Sequence, residues 1–143
     1  MINSNLRLVR KVWEEKTTSL DVAARAARDE MMVALIQLSK EQIERRRTKD
    51  SNGKWTPTPV PGESAWSRSG DLRRSITGQR FNVGFAHYEA VVGPTIVYAR
   101  KVELGGPNWK PGVRYPYMEP AYEKFRTVIV PQIQTKFFRR FAR

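Results

Sequence analysis

The segment from Ser19 to Arg47, SLDVAARAARDEMMVALIQLSKEQIERRR, contains neither Gly nor Pro. Ala, Arg, Glu, Met and Leu dominate it, and these residues favour a helix. Its apolar side chains recur at about helical spacing, so one face of such a helix would be apolar. These apolar residues are Val22, Ala26, Met32, Leu35 and Leu38. The segment therefore predicts a long amphipathic helix within an N-terminal helical region, residues 1 to 48.

Both ends of this helix have an alternative interpretation. The preceding residues, NSNLRLVRKVWEEK, can form a separate short helix that breaks at 17–19, in which case Thr18 and Asp21 begin the long helix as a cap. At the other end, the arginines at 45–47 suit the helix dipole, but they also suit a phosphate-binding patch. Between these ends, Met31 and Met32 are expected to pack in the core.

A loop is predicted for residues 49 to 70. Four Gly or Pro residues fall between Gly53 and Pro61, and both residue types interrupt regular structure. A loop of this length is uncommon in a compact domain unless it is functional or disordered. Trp55 and Trp66 argue for order, because two large aromatic rings need a surface to pack on. That surface is either a partner subunit or the core of the chain itself.

Residues 71 to 143 predict a β-hairpin, a short helix and a C-terminal helix. SITGQRF and HYEAVVG alternate as strands do, with Gly84 suited to the turn. A short helix from Ile96 is expected to end at Gly105. The segment PYMEPAYEKFRTVIVPQIQTKFFRRF has an apolar stripe at helical steps, and Pro131 is expected to kink or break this helix. The chain thus predicts one α+β domain, residues 1 to 143, in which a long N-terminal helix and a C-terminal helix pack on a small antiparallel sheet.

The charge of the chain is strongly positive. With 26 Lys and Arg against 14 Asp and Glu, the formal net charge is +12. Residues 51 to 143 carry 15 basic and 6 acidic residues, so most of the excess lies there. Such a surface attracts nucleic acid, or it seats a basic subunit among acidic neighbours. The 143 residues contain no cysteine and no apolar run long enough to span a membrane, so we expect a soluble protein with no membrane partner.

The sequence holds no obvious catalytic constellation. His87 is the single histidine, and a lone histidine is more often structural than catalytic. Nucleotide-binding and zinc-protease motifs are absent. The acidic pairs of the helical region lie beside Lys and Arg, as on a solvated helix face. We therefore expect no enzyme activity, no catalytic residue, no metal site and no cofactor.

Three short motifs in the last part of the chain carry a family resemblance. The first is Ser69-Gly70-Asp71-Leu72-Arg73-Arg74-Ser75-Ile76, and the second combines Val92-Gly93 and Tyr98-Ala99 with Glu103-Leu104-Gly105. The third is Pro116-Tyr117-Met118-Glu119-Pro120-Ala121. In this order, behind a long N-terminal helix, they resemble the small tail-component family of long-tailed bacteriophages, which comprises tail-completion or neck proteins of the head-to-tail joint.

The resemblance implies a structural protein of the virion neck, assembled in the host bacterial cytoplasm. Several copies would form a homo-oligomeric ring around the DNA passage, with a hexamer favoured over a dodecamer. The partners would be a head-closure or connector protein on one side and a tail terminator or tail tube protein on the other. Non-specific contact with phage DNA in the channel would be a further use of the charge. The alternative is a basic nucleic-acid-binding protein that acts alone.

We divide the candidate residues into two groups. Those expected at the interface with another subunit or with a neighbouring ring are Trp55, Trp66, Arg73, Arg74, Glu103, Phe138, Arg139 and Arg140. Those expected to maintain the fold are Leu72, Ile76, Tyr98, Leu104, Pro116, Tyr117 and Met118. Tyr98 is expected to bury its ring, and the Glu103 carboxylate to bind a nearby Arg or a backbone N–H group.

Overall fold

The computed structural model describes residues 2–44, 48–56, 61, 65–66 and 69–141 and has the α+β architecture predicted from the sequence. Five α-helices are present in these residues: α1 (Ile2–Glu41), α2 (Asp71–Ser75), α3 (Ala99–Leu104), α4 (Met118–Lys124) and α5 (Val130–Phe141). The strands are β1 (Ile43–Glu44), β2 (Thr48–Lys49), β3 (Trp55–Thr56), β4 (Ala65–Trp66), β5 (Ile76–Gly84) and β6 (His87–Pro94).

Helix α1 is continuous over 40 residues, about 60 Å. The expected break at 17–19 is wrong, because the hydroxyl groups of Thr17 and Thr18 donate to the Glu14 carbonyl at 3.0 and 2.8 Å and stay within the helix. The side chains of residues 7–16 are all exposed. The N-terminal part of α1 therefore projects beyond the rest of the domain.

Strands β5 and β6 form the antiparallel hairpin that the alternation predicted, in a register from Ile76 opposite Pro94 to Gly84 opposite His87. Its turn lies at 85–86, with Ala86 at φ 51°, so Gly84 ends β5 instead of forming the turn. One face of the hairpin packs on α1. At Gly78, a Cβ atom would lie 2.7 Å from the Met32 side chain, so the absence of a side chain permits the close approach.

The helix predicted to continue to Arg47 ends at Glu41, and the arginines at 45–47 lie outside the described residues. Short paired strands follow α1 and extend into the segment predicted as a loop. β1 pairs with β4 in parallel, and β2 pairs with β3 in antiparallel orientation. Trp55 and Trp66 lie on β3 and β4, but their side chains are outside the described part of the chain. The choice between partner packing and self-packing for these two rings stays a prediction.

The C-terminal helix changes its winding before Pro131. A π-helical turn, Phe125–Ile129, connects α4 to α5, and the Val130 N–H group donates to the Phe125 carbonyl five residues earlier. Pro131 lacks an N–H group, and its ring crowds the Thr127 carbonyl. The wider π turn accommodates this crowding, so the chain stays helical through Pro131 and the predicted break is wrong, whereas the predicted kink stays a prediction.

The core lies where the middle of the chain meets the C-terminal end of α1. Its buried residues are Ile43, Ala65, Leu72, Ile76, Ala99 and Tyr117. Ile36 of α1 and Met118 of α4 pack against them. On the other side of α1, Ala121 and Ile133 of the C-terminal helices are buried. The core therefore joins segments that the sequence presents as separate motifs.

Candidate interaction site

The three sequence motifs meet in one place. Leu72 and Ile76 from the first, Ala99 from the second and Tyr117 from the third belong to a single buried cluster. Burial raises the pKa of Tyr117 to about 12, and the nearby Glu103 carboxylate acts in the same direction, so the phenol stays neutral. Leu72, Ile76, Tyr117 and Met118 thus hold the positions expected of core residues, and Pro116 beside them is half-buried.

Glu103 links the second motif to the third. Its carboxylate accepts hydrogen bonds from the backbone N–H groups of Tyr117, Met118 and Glu119, at 2.8, 3.0 and 2.9 Å. These groups belong to the start of α4, where N–H groups have no partner within the helix and where the helix dipole stabilises a negative charge. The expected bond to backbone N–H is confirmed. Both oxygens of Glu103 accept hydrogen bonds within the chain. A contact of Glu103 with another subunit stays a prediction.

Gly105 explains the glycine of the second motif. Its φ angle is 90°, and a Cβ atom there would lie 2.8 Å from the Val113 carbonyl oxygen. Its N–H group donates to the Lys101 carbonyl and ends α3. A residue with a side chain would be strained in this conformation and would also displace the loop before Tyr117.

The motif residues also line an open groove of about 290 Å³, here called the motif groove. Its lining residues are Pro94, Ile96, Ala99, Arg100, Glu103, Leu104, Tyr117 and Met118. Leu104, at the rim, is 61% exposed, and the neighbouring Tyr98 is 46% exposed. The expectation that Tyr98 buries its ring is therefore wrong, because the first turn of α3 directs Ala99 into the core instead. Tyr98 and Leu104 belong to the surface.

No family model matches the chain, and neither a curated protein nor a solved structure is similar to it. Within the described residues, no group of three or more His, Asp or Glu side chains is placed to hold a metal ion. None of the described helices is long and apolar enough to cross a membrane.

The predicted basic interface residues lie on two separate surfaces. The buried cluster that contains Leu72, Ile76, Ala99 and Tyr117 is here called the motif core. Arg73 is exposed on α2, next to the motif core, and Arg74 beside it bonds Asp71 of the same helix. Phe138, Arg139 and Arg140 are exposed near the end of α5.

The distance between these surfaces follows from α1. The motif core contacts Ile36, whereas Phe138 shares a groove with Ala24, 12 residues or about 18 Å earlier on the helix. The structure thus does not combine all the predicted interface residues into one patch.

The groove beside Phe138 is a feature that sequence reasoning missed. It has a volume of about 340 Å³, lies between α1, α5 and the hairpin turn, and is here called the α1–α5 groove. Its apolar lining comes from Ala24, Ala27, Met31, Ala86, Tyr88, Ile133, Phe137 and Phe138. The alanines form a floor without long side chains, which leaves room for one from elsewhere. The alanines that recur at helical spacing in α1 were the sequence signal that could have indicated this groove.

A polar cluster at the hairpin turn was also missed. The Asp21 carboxylate accepts hydrogen bonds from the Tyr88 hydroxyl at 2.5 Å and from the Ala86 N–H group at 3.1 Å. The Tyr88 bond first, and then the Ala86 bond, hold the pKa of Asp21 below its usual value. Arg25 and Arg28 lie over the Tyr88 ring, 5.4 and 5.0 Å from its centre. This cluster fixes the hairpin turn to α1.

The outer face of the hairpin carries exposed apolar side chains among polar ones. Phe81, Val83 and Val91 are exposed on the side away from α1, which they share with polar residues such as Gln79 and Glu89. Apolar side chains gathered on one exposed face favour contact with another protein.

Proposed function

We propose that this chain is a ring-forming neck or tail-completion component of a long-tailed bacteriophage, joining head to tail around the DNA passage. The observation that carries the proposal is that residues of all three motifs lie in one buried cluster. Residues at separate points of the sequence share one core, and Glu103 of the second motif caps the third. Their spacing is therefore a structural requirement of one site, and this supports treating them as one pattern.

The exposed surfaces support an assembling protein. A residue of the motif groove, Leu104, is exposed beside buried residues of the same motifs, which is the arrangement of a contact surface built on a rigid support. In a ring, such a contact is heterologous: the groove of one copy meets a different surface of the next. The basic charge would seat the ring on acidic neighbours or face DNA.

A substitution at Leu104 tests the proposal. Leu104→Asp adds a charge at the rim of the motif groove, where the side chain is already exposed, so the subunit should fold. In an infection complemented by the variant gene, we expect full heads beside free tails by electron microscopy. Val97→Asp is the matched control, because Val97 is 95% exposed nearby and does not line the groove. Complete, infectious particles with Leu104→Asp would contradict the role of the groove, and complete particles without the gene would contradict the function.

The alternative function is a free-standing nucleic-acid-binding protein, and the net charge of +12 favours it. Against it, many arginines of the described residues are paired within the chain, including Arg28, Arg74, Arg80 and Arg114. Filter binding at increasing salt separates the two functions. A free-standing binder shows useful affinity as an isolated protein and a steep slope of log affinity against log salt.

A further inference from the structure

The projecting part of α1 has an apolar stripe that no other described part of the chain covers. Leu8, Val9, Val12 and Trp13, here called the projecting stripe, are exposed to between 48% and 69%. A helix segment of this length is marginal in water without tertiary packing, so an uncovered apolar stripe on it indicates a partner.

The chain cannot cover the stripe with its own α5. Lys136 of α5 bonds Glu30 of α1, and α5 ends at Phe141, five residues later. Those five residues extend about 8 Å, whereas Trp13 lies 17 residues, or about 25 Å, from Glu30 along α1. The hairpin turn contacts α1 at Asp21, which lies about 12 Å from Trp13 along the helix.

Two residues of the stripe, Val9 and Trp13, lie on the same face of α1 as the α1–α5 groove. Trp13 and Met31 are 18 residues apart, which is five helical turns, and so are Val9 and Ala27. Trp13 and Ala24 are 11 residues apart, close to three turns. The same helix face therefore presents a large side chain at one end and an alanine-floored groove at the other.

We propose that two copies of this chain pair through α1 in antiparallel orientation, with Trp13 of each copy in the α1–α5 groove of the other. An antiparallel two-fold pair brings each Trp13 opposite the groove of its partner at the same time, which is an isologous contact. Setting Trp13 between Ala24 and Ala27 places the two-fold axis near Leu20. Val12 then lies on the side where Phe138 of the other copy is exposed.

The charges of α1 also favour the antiparallel orientation. Residues 7–16 carry four basic and two acidic residues, whereas residues 21–30 carry three acidic and two basic residues. Since Asp29 and Glu30 are paired with Arg80 and Lys136 of the same chain, antiparallel pairing sets the net positive segment against a nearly neutral one, and parallel pairing in register would set two net positive segments together. This pairing goes beyond the proposed ring, whose contacts are heterologous, and it does not depend on that function.

Sedimentation equilibrium of the purified full chain tests the pairing. We expect a mass twice the chain mass of 16.5 kDa. Trp13→Asp should weaken the dimer about a hundredfold, as for the loss of a central interface tryptophan. Val22→Asp is the matched control: Val22 is 62% exposed on the opposite face of α1, and its change should leave the mass unaltered. A cooperative thermal transition, followed by circular dichroism, checks that both variants stay folded.

Cysteine cross-linking gives a second test, because the chain has no cysteine of its own. Leu20→Cys should form an interchain disulfide under mild oxidation, and Val22→Cys should not. A monomeric wild-type chain at about 100 µM, well above the dissociation constants of specific complexes, would overturn the proposal, as would equal effects of Trp13→Asp and Val22→Asp. An assembly larger than a dimer supports the proposal only if Leu20→Cys links chains in pairs and Trp13→Asp lowers the mass. A larger assembly without both results overturns the proposal.

Discussion

Glu103 and Tyr117 are 14 residues apart in the sequence and are joined by a 2.8 Å hydrogen bond from the Tyr117 backbone N–H group to the Glu103 carboxylate. With the bonds from Met118 and Glu119, the carboxylate caps the start of α4 from a different helix. A side chain of the second motif thus fixes the position of the third. Folding of the motif core and shape of the motif groove depend on the same residue.

We expect Glu103→Ala to lower the free energy of unfolding by about 2–3 kcal/mol, because three N–H groups lose a charged acceptor at a helix start. Glu103→Gln keeps one acceptor oxygen and should lose about half as much. Urea unfolding measures both. Glu123→Ala is the control, since its partner Arg126 forms an exposed pair whose loss costs at most about 0.5 kcal/mol. Equal losses for Glu103→Ala and Glu123→Ala would show that the cap does not stabilise the fold.

The Asp21–Tyr88 contact should give the stability a specific dependence on acid. Hydrogen bonds from Tyr88 and Ala86 lower the pKa of Asp21 from 3.8, so its ionised form stabilises the folded chain. This stabilisation is present above about pH 4 and is lost as the pH falls through the lowered pKa. The melting temperatures of wild type and Asp21→Asn should therefore differ by a constant amount from pH 7 to about pH 5 and converge below pH 4.

Tyr88→Phe provides the check on the cause. It keeps the ring under Arg28 and removes the hydroxyl that contributes most to the lowered pKa of Asp21. In the Tyr88→Phe background, the melting temperatures with and without Asp21→Asn should therefore converge less in acid than they do in the wild-type background. A melting-temperature difference between wild type and Asp21→Asn that stays unchanged down to pH 3 would contradict the role of Asp21.

Glycines of the hairpin should differ sharply in their tolerance of a methyl group. Gly78→Ala sets a Cβ atom 2.7 Å from Met32, which is buried, and should cost about 1–3 kcal/mol of unfolding free energy. Gly93→Ala, on the partner strand, meets no atom within 4 Å and should be neutral or slightly stabilising. Thermal unfolding of the two variants compares them directly. A neutral Gly78→Ala would mean that β5 does not approach α1 this closely.

Local patterns in the sequence predicted the elements better than the contacts between them. The helix former content of α1, the alternation of β5 and β6 and the stop at Gly105 depend on neighbouring residues, and the structure confirms each of them. Pro131 correctly indicated disturbed winding, but the π turn depends on how the helix packs, which the sequence does not show.

Exposure and distant contacts were the parts that the sequence could not predict. Tyr98 and Leu104 have the chemistry of core residues, yet α3 turns Ala99 inward and leaves both exposed. Tyr88 meets Asp21 across 67 residues, and no periodic pattern connects them. Such contacts are set by the packing of whole elements, so only the folded chain reveals the α1–α5 groove and the projecting stripe.

A charge reversal at Arg73 separates two uses of the positive surface in the proposed ring. Both arginines are exposed, but Arg74 bonds Asp71 of the same helix, so a change at Arg73 alters the surface charge without breaking that pair. If the charge seats the ring on acidic neighbours, Arg73→Glu should block joining, because like charges across an interface cost several kcal/mol. If it faces DNA, complete particles should form and should leak or retain their DNA.

We expect the first result, since a strongly cationic channel wall would hold DNA through counterion release instead of letting it slide. Electron microscopy of complemented infections distinguishes the two outcomes, with Arg126→Glu as an exposed control on the C-terminal helix, and complete particles with altered DNA release would refute seating.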